Sequence, residues 1–189
     1  MRIIGGDMGG QRFQPPTNMP HTRPTTDIAK EGLFNVIQHN LDLSTLKTLD
    51  IFGGTGSISY ELYSRGARDQ TIVEKDPAMA DFIQKTAAQL KIEHLKLVRM
   101  DVFKYLEQCT EKFDFIFAGP PYALNTIDQL PKIIFERELL HPEGWFVLEH
   151  TPRNHYEQYD YYRLEKNYGT TIFSFFINRE SLKQSISKS

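Results

Sequence analysis

The sequence predicts an α/β fold: a mainly parallel sheet covered by helices on both faces, with an antiparallel strand pair at one edge. Three observations predict it. Short apolar runs alternate with helical segments of roughly 10 to 15 residues, the pattern of a parallel sheet with crossover helices. A glycine-rich turn, "LDIFGGTGSIS", joins the first core strand to its helix. Near the C-terminus, "YYRLEKNYGTTIFSFFINR" reads as two strands joined around Tyr168-Gly169-Thr170, the spacing of a hairpin.

Each element follows from local signals. Residues 1–24 are rich in Gly and Pro and read as a small arm. "TTDIAKEGLFNVIQHNL" reads as a helix, capped by Thr25 or Thr26, with Ala29, Leu33, Val36 and Ile37 on one face. "LKTLDIF" is the first core strand, "SISYELYSRGA" a helix closed by Gly66, and "QTIVEKD" the second strand. "PAMADFIQKTAAQLKI" is a helix with Asp76 as cap and Pro77 in its first turn. "LKLVRMD", "FDFIFA" and "GWFVLEH" are the next strands, separated by the short helix "VFKYLEQC" and by "IDQLPKIIFERELL", where Pro131 delays the helix start. The expected organisation is one domain over residues 1–180: arm 1–24, leading helix 25–41, Rossmann-like core 45–180. The polar stretch 181–189 is expected to be a flexible tail.

Bulk properties exclude several classes. A chain of 189 residues with 40% hydrophobic and 24% charged residues suits one soluble domain. The single cysteine, Cys109, rules out an intramolecular disulfide framework and a Cys-cluster zinc site. The six histidines do not cluster at metal-ligand spacing, so no metal is expected. No run approaches the roughly 18 apolar residues of a membrane span, and the N-terminus lacks the apolar stretch of a signal peptide. A cytoplasmic monomer is the simplest expectation. A net charge of -2 supplies no basic footprint for nucleic acid.

Chemistry concentrates at the carboxyl ends of the strands. Gly53, Gly54 and Gly56 leave room for a nucleoside to approach the backbone, and the following helix presents free N–H groups. A dinucleotide fingerprint would need glycine where Ser59 stands. Asp50 precedes the turn. Glu74 ends the second strand, where an acid can accept both hydroxyls of a ribose. Asp101 ends the third, placed to accept from an adenine amine. Each acid alone reads equally well as a strand end or a helix cap; together with the glycine turn they point to an adenosyl cofactor. The fourth strand runs into Gly119-Pro120-Pro121-Tyr122. Two prolines fix φ and donate no hydrogen bonds, which makes a stiff loop, and an aromatic residue there can stack on an extruded base.

With these segments in hand, the chain resembles the bacterial 16S rRNA guanine-N2 methyltransferases, the RsmD-like family. The resemblance is carried by "RIIGG" at 2–6, "RPTTD" at 23–27, "EGLFN" at 31–35, "LDIFGGTG" at 49–56, "SRGA" at 64–67, "VEKD" at 73–76, Asp101, "PPY" at 120–122 and Glu149. It covers about residues 1–180. It implies a Rossmann-like, seven-stranded class I methyltransferase fold and transfer of a methyl group from S-adenosyl-L-methionine to the N2 amine of guanine 966 in 16S rRNA; the lack of a basic footprint adds the expectation that the substrate is a partly assembled small subunit. Implied cofactor contacts are Asp50, Phe52, Gly53, Gly54, Thr55, Gly56, Glu74, Lys75, Asp101 and Val102. The implied catalytic loop is Gly119, Pro120, Pro121 and Tyr122, with Arg23, Thr25, Asp27 and Glu149 beside the substrate.

The chain departs from the family at Gly119, where Asp is usual. Loss of one positioned acceptor costs about 3 kcal/mol by analogy with oxyanion-hole deletions. The Pro120 carbonyl, a water, Glu149 or Asp27 are the replacements to examine. Arg2, Arg12, Arg23 and Lys30 are expected to form a local basic patch on the arm. Two other functions compete: a DNA adenine or cytosine amino-methyltransferase, and a catalytically weakened rRNA- or cofactor-binding protein. Tyr156, Tyr159, Tyr161, Tyr162 and Tyr168 are expected to pack at the sheet edge.

Overall fold

The computed structural model describes residues 1–19 and 24–180. Arg23 and the stretch 181–189 lie outside the described residues.

Seven strands form one sheet: β1 (Lys47–Asp50), β2 (Asp69–Val73), β3 (Leu95–Val98), β4 (Phe113–Ala118), β5 (Leu140–His150), β6 (Tyr162–Tyr168) and β7 (Thr171–Ile177). Their order is β3-β2-β1-β4-β5-β7-β6. The pairs from β3 through β5 are parallel, and β7 lies antiparallel between β5 and β6. The expected edge hairpin is there, turning at Gly169 with φ 68°. Helices α1 (Asp27–Asn40), α2 (Ser57–Ser64), α3 (Pro77–Gln89), α4 (Val102–Gln108) and α5 (Gln129–Glu136) cover the faces. This is the Rossmann-like class I methyltransferase architecture that the alternating pattern predicts.

Strand periodicity divides the core. Phe115, Phe117, Val147, Phe173 and Phe175 pack with Leu33, Phe34 and Ile37 of α1 and Ile58 and Leu62 of α2. Their alternates Ile116, Ala118, Phe146, Leu148 and Phe176 face Leu106 of α4 and Leu130 and Ile134 of α5. A sheet buried on both faces needs nearly continuous apolar strands, and β4 and β7 come close, broken by Asp114 and Ser174. Tyr156, Tyr159 and Tyr162 surround Phe176, Tyr161 stacks on Phe135 at 4.3 Å, and Tyr168 meets Phe173. They pack, as expected.

Two elements differ from the sequence reading. The helix after the box stops at Glu136 because Glu138 turns left-handed, φ 53°, letting the Leu139 N–H reach back to the Ile134 carbonyl. β5 starts at Leu140, not Gly144. Phe113 pairs with Leu140 and Phe115 with Trp145, so residues 141–144 form an excursion in the ladder that accommodates Pro142 and Gly144. Asn178 ties it down, donating to the Leu140 and His141 carbonyls.

The arm folds back on itself at an Arg2–Arg12 bridge and packs Ile3, Met8 and Phe13 on Tyr60 of α2. Its anchor is Glu61, fully buried, whose carboxylate accepts from the Ile4 and Gly5 N–H groups and pairs with Lys30 and Arg65. Lys30 also donates to the Arg2 carbonyl and Ser57 Oγ. The expected basic patch is therefore corrected: Lys30 is a buried ion-pair partner, and Arg2 pairs with Asp27 at 2.8 Å.

Candidate active site

Connections diverge from β1 and β4, so their carboxyl ends form the switch point where an open α/β sheet leaves a crevice. A cleft of about 510 Å³ lies there, within the size range of small-molecule sites.

The glycine-turn side of the cleft is built by close backbone contacts. Gly53 donates to the Val73 carbonyl, and a Cβ on it would come within 2.4 Å of Ile72 Cγ2. Gly56 sits at φ 81° and starts α2; a Cβ there would meet the Tyr60 ring at 2.4 Å. Two N–H groups orient Glu74: Gly54 N donates to Oε2 at 2.7 Å and Asp76 N to Oε1 at 2.9 Å. Asp101 caps α4 with Oδ1, which accepts from Phe103 and Lys104 N–H. Its cap role and its place on the cleft wall coexist.

Asp50 is the most informative acid. It is 2% exposed and lines the cleft; Oδ2 accepts from Ser59 Oγ, and Oδ1 has no hydrogen-bond partner among the described residues. Burial pushes its carboxyl up to about 7, with the neighbouring Glu74 and Glu149 charges adding to the rise; Ser59 and the Phe52 N–H oppose it. A buried acceptor left without a donor is costly, and a cationic ligand group in the cleft would satisfy it. The orphaned Asp50 oxygen, the pre-oriented Glu74 and the bare glycine turn fit the ammonium, ribose and backbone-approach demands of an adenosyl amino acid.

The box forms the other wall. Gly119, Pro120, Pro121 and Tyr122 all line the cleft, and the Pro121 carbonyl closes a turn by accepting from Leu124 N–H. Tyr122 is 38% exposed, one of two large apolar side chains left open to solvent among the described residues. Pro24 and Thr25, ahead of α1, lie over the same space, and Thr25 Oγ1 donates to Glu149 Oε2 at 3.0 Å.

The family model described as Conserved hypothetical protein 95, the RsmD family, matches residues 1–177. The chain belongs to this family. "Ribosomal RNA small subunit methyltransferase D" of Haemophilus influenzae is 31% identical over 153 residues, covering 79% of this chain and 78% of that protein. Its namesake in Escherichia coli K12 is 29% identical over 154 residues, covering 82% and 76%. The solved structure of Escherichia coli yhhF superposes with a TM-score of 0.83 at 25% identity, covering 95% of this chain and 98% of that one.

Most of the residues that the RsmD-like resemblance singles out meet in this cleft: Asp50, Phe52, Gly53, Gly54, Thr55, Glu74, Lys75, Asp101, Val102, the four box residues, Thr25 and Glu149. Two do not. Gly56 turns the chain into α2 without lining the cleft, and Asp27 faces Arg2 outside it. The apolar walls, Met79 of α3 and Phe103 of α4, were not singled out as site residues. Their signal was ambiguous, since an apolar residue in a first helical turn reads as core. Among the described residues no group of acids, His and Cys is placed to hold a metal ion, and no helix is long and apolar enough to cross a membrane.

Proposed function

We propose that this chain transfers a methyl group from S-adenosyl-L-methionine to the N2 amine of a guanine in small-subunit rRNA, the nucleotide the family resemblance singles out. The observation that carries this reading is one continuous cleft holding both halves: the orphaned Asp50 oxygen and oriented Glu74 on one side, the Pro-Pro-Tyr box on the other. When bound, the cofactor supplies a methyl group on a positively charged sulfur. Asp50 holds the ammonium of its amino-acid end, Glu74 accepts from the ribose hydroxyls, and Asp101 accepts from the adenine amine. Tyr122 stacks on the extruded base and the stiff box holds the amine in line, so positioning supplies much of the rate.

With a net charge of -2, which supplies no overall basic pull on naked RNA, the favoured substrate is a partly assembled subunit, where shape shares the recognition. The chain acts there as a monomer. The names of the Haemophilus influenzae and Escherichia coli relatives support the small-subunit target. The test is tritium transfer from labelled cofactor to small-subunit rRNA, naked and partly assembled, and to duplex DNA. Label in the rRNA is expected, stronger in the particle. Label in duplex DNA, or none despite measurable S-adenosylhomocysteine binding, would overturn the reading.

A further inference from the structure

We propose that Glu149 recognises the Watson–Crick edge of guanine, accepting from N1–H and the N2 amine together, and so selects guanine over the other amino bases; this rests on the methyltransferase reading above. The starting point is the missing acid of the box. Gly119 does not occupy the left-handed region, so the backbone does not demand glycine there. Space is tight instead: a Cβ on Gly119 would lie 3.1 Å from Glu149 Oε2 and 3.1 Å from the Phe117 ring, so a side chain there would press on the glutamate. The strand register sets this up: Ala118 pairs with Leu148 across β4 and β5, so the next residues, Gly119 and Glu149, are neighbours. The position beside the head of the box is thus filled by a carboxylate from the adjacent strand.

That carboxylate is only 6% exposed, lines the cleft, and is oriented by the Thr25 hydroxyl. A carboxylate offers about four acceptor sites and no donor, and Thr25 is one of the groups that donate to this one. Guanine presents two adjacent donors, N1–H and the N2 amine. Adenine presents an acceptor, N1, beside its amine, and cytosine presents N3 beside its own. Either acceptor facing a carboxylate leaves two lone pairs opposed in a buried site, the kind of mismatch that rejects a wrong partner strongly.

The experiment places guanine, 2-aminopurine or 1-methylguanine at the nucleotide that the wild-type protein labels. 2-Aminopurine keeps the N2 amine but turns N1 into an acceptor; 1-methylguanine blocks N1. Wild type is expected to label guanine at least about tenfold faster than either analogue, since one well-placed base contact is worth that much. In Glu149→Gln, the amide can accept from N2 and donate to N1 of 2-aminopurine, so the guanine preference is expected to fall about tenfold or invert. S-adenosylhomocysteine binding, measured alongside, reports folding. Equal wild-type rates on guanine and 2-aminopurine would overturn the proposal whatever the variant does, as would a Glu149→Gln protein that is slower on both with the ratio unchanged. Label on adenine instead of guanine would bring down the guanine reading itself and this inference with it.

Discussion

Asp50 links the proposed cofactor site to pH. Its folded-state pKa of about 7 lies above the ordinary 3.8, so the protonated form is favoured by folding. The stability this contributes is fully present below about pH 4 and is lost as pH rises through about 7. Cofactor binding runs the opposite way, because only the ionised carboxylate can pair with an ammonium. S-adenosylhomocysteine affinity should therefore strengthen between pH 5.5 and 7.5, by up to about tenfold per unit below the pKa. Isothermal calorimetry should show proton release, and Asp50→Asn should flatten the profile. Gly119 offers a second test at this scale. Glu149→Ala should cost activity about tenfold or more, and adding Gly119→Asp should recover part of it, because the new side chain projects toward the space the glutamate vacates. Single-turnover rates on the rRNA substrate read both. Glycine at 119 reads from sequence as a loss. Its geometry shows a glycine packed against a carboxylate thirty residues away in the chain, which composition and periodicity do not register.

At the scale of elements, the arm and α1 are held by a charged cluster with little solvent. Lys30 and Glu61 side chains are 2% and 0% exposed, and burial pulls the lysine below its usual range against the opposing pull of Glu61. Removing one partner of a buried pair costs about 3–5 kcal/mol when the other is stranded; Glu61 keeps Arg65 and the Ile4 and Gly5 N–H groups, so the cost of losing Lys30 is at the lower end, about 3 kcal/mol. Lys30→Ala should lose stability of that order in urea unfolding, with proteolysis beginning in the arm. Helix starts were legible in sequence, because capping acts locally: Thr26 accepts from Ala29 N–H and Asp76 from Met79 N–H, as their spacing implies. The β4 and β7 strands were legible from mostly apolar runs, interrupted only by Asp114 in the one and by Ser174 within the other. What escaped depends on distant partners. Lys30 looked like a surface cation on a helix, and only the arrival of Glu61 from α2 makes its burial tolerable. Leu140 looked like the end of a helix, since Pro142 and Gly144 conceal a strand that resumes after a bulge.

At the scale of the molecule, the sheet brings the ends of β1, β2, β4 and β5 to one cleft, so residues from Asp50 to Glu149 line one space. The placement of the acids on the cleft was readable because each stands at a predictable strand end. The box side was only partly readable, since it depends on how β5 registers against β4 and on the Thr25 contact to Glu149. A division of labour follows. Tyr122→Ala should lose about 1–3 kcal/mol of base stacking, raising KM for the rRNA particle while leaving S-adenosylhomocysteine affinity within about twofold. The measurement that tests the central claim most directly is nucleoside analysis of small-subunit rRNA after reaction with methyl-labelled cofactor. The label should appear as N2-methylguanosine. Label in a methylated adenosine or cytidine, or an unlabelled digest from protein that binds S-adenosylhomocysteine, would contradict it.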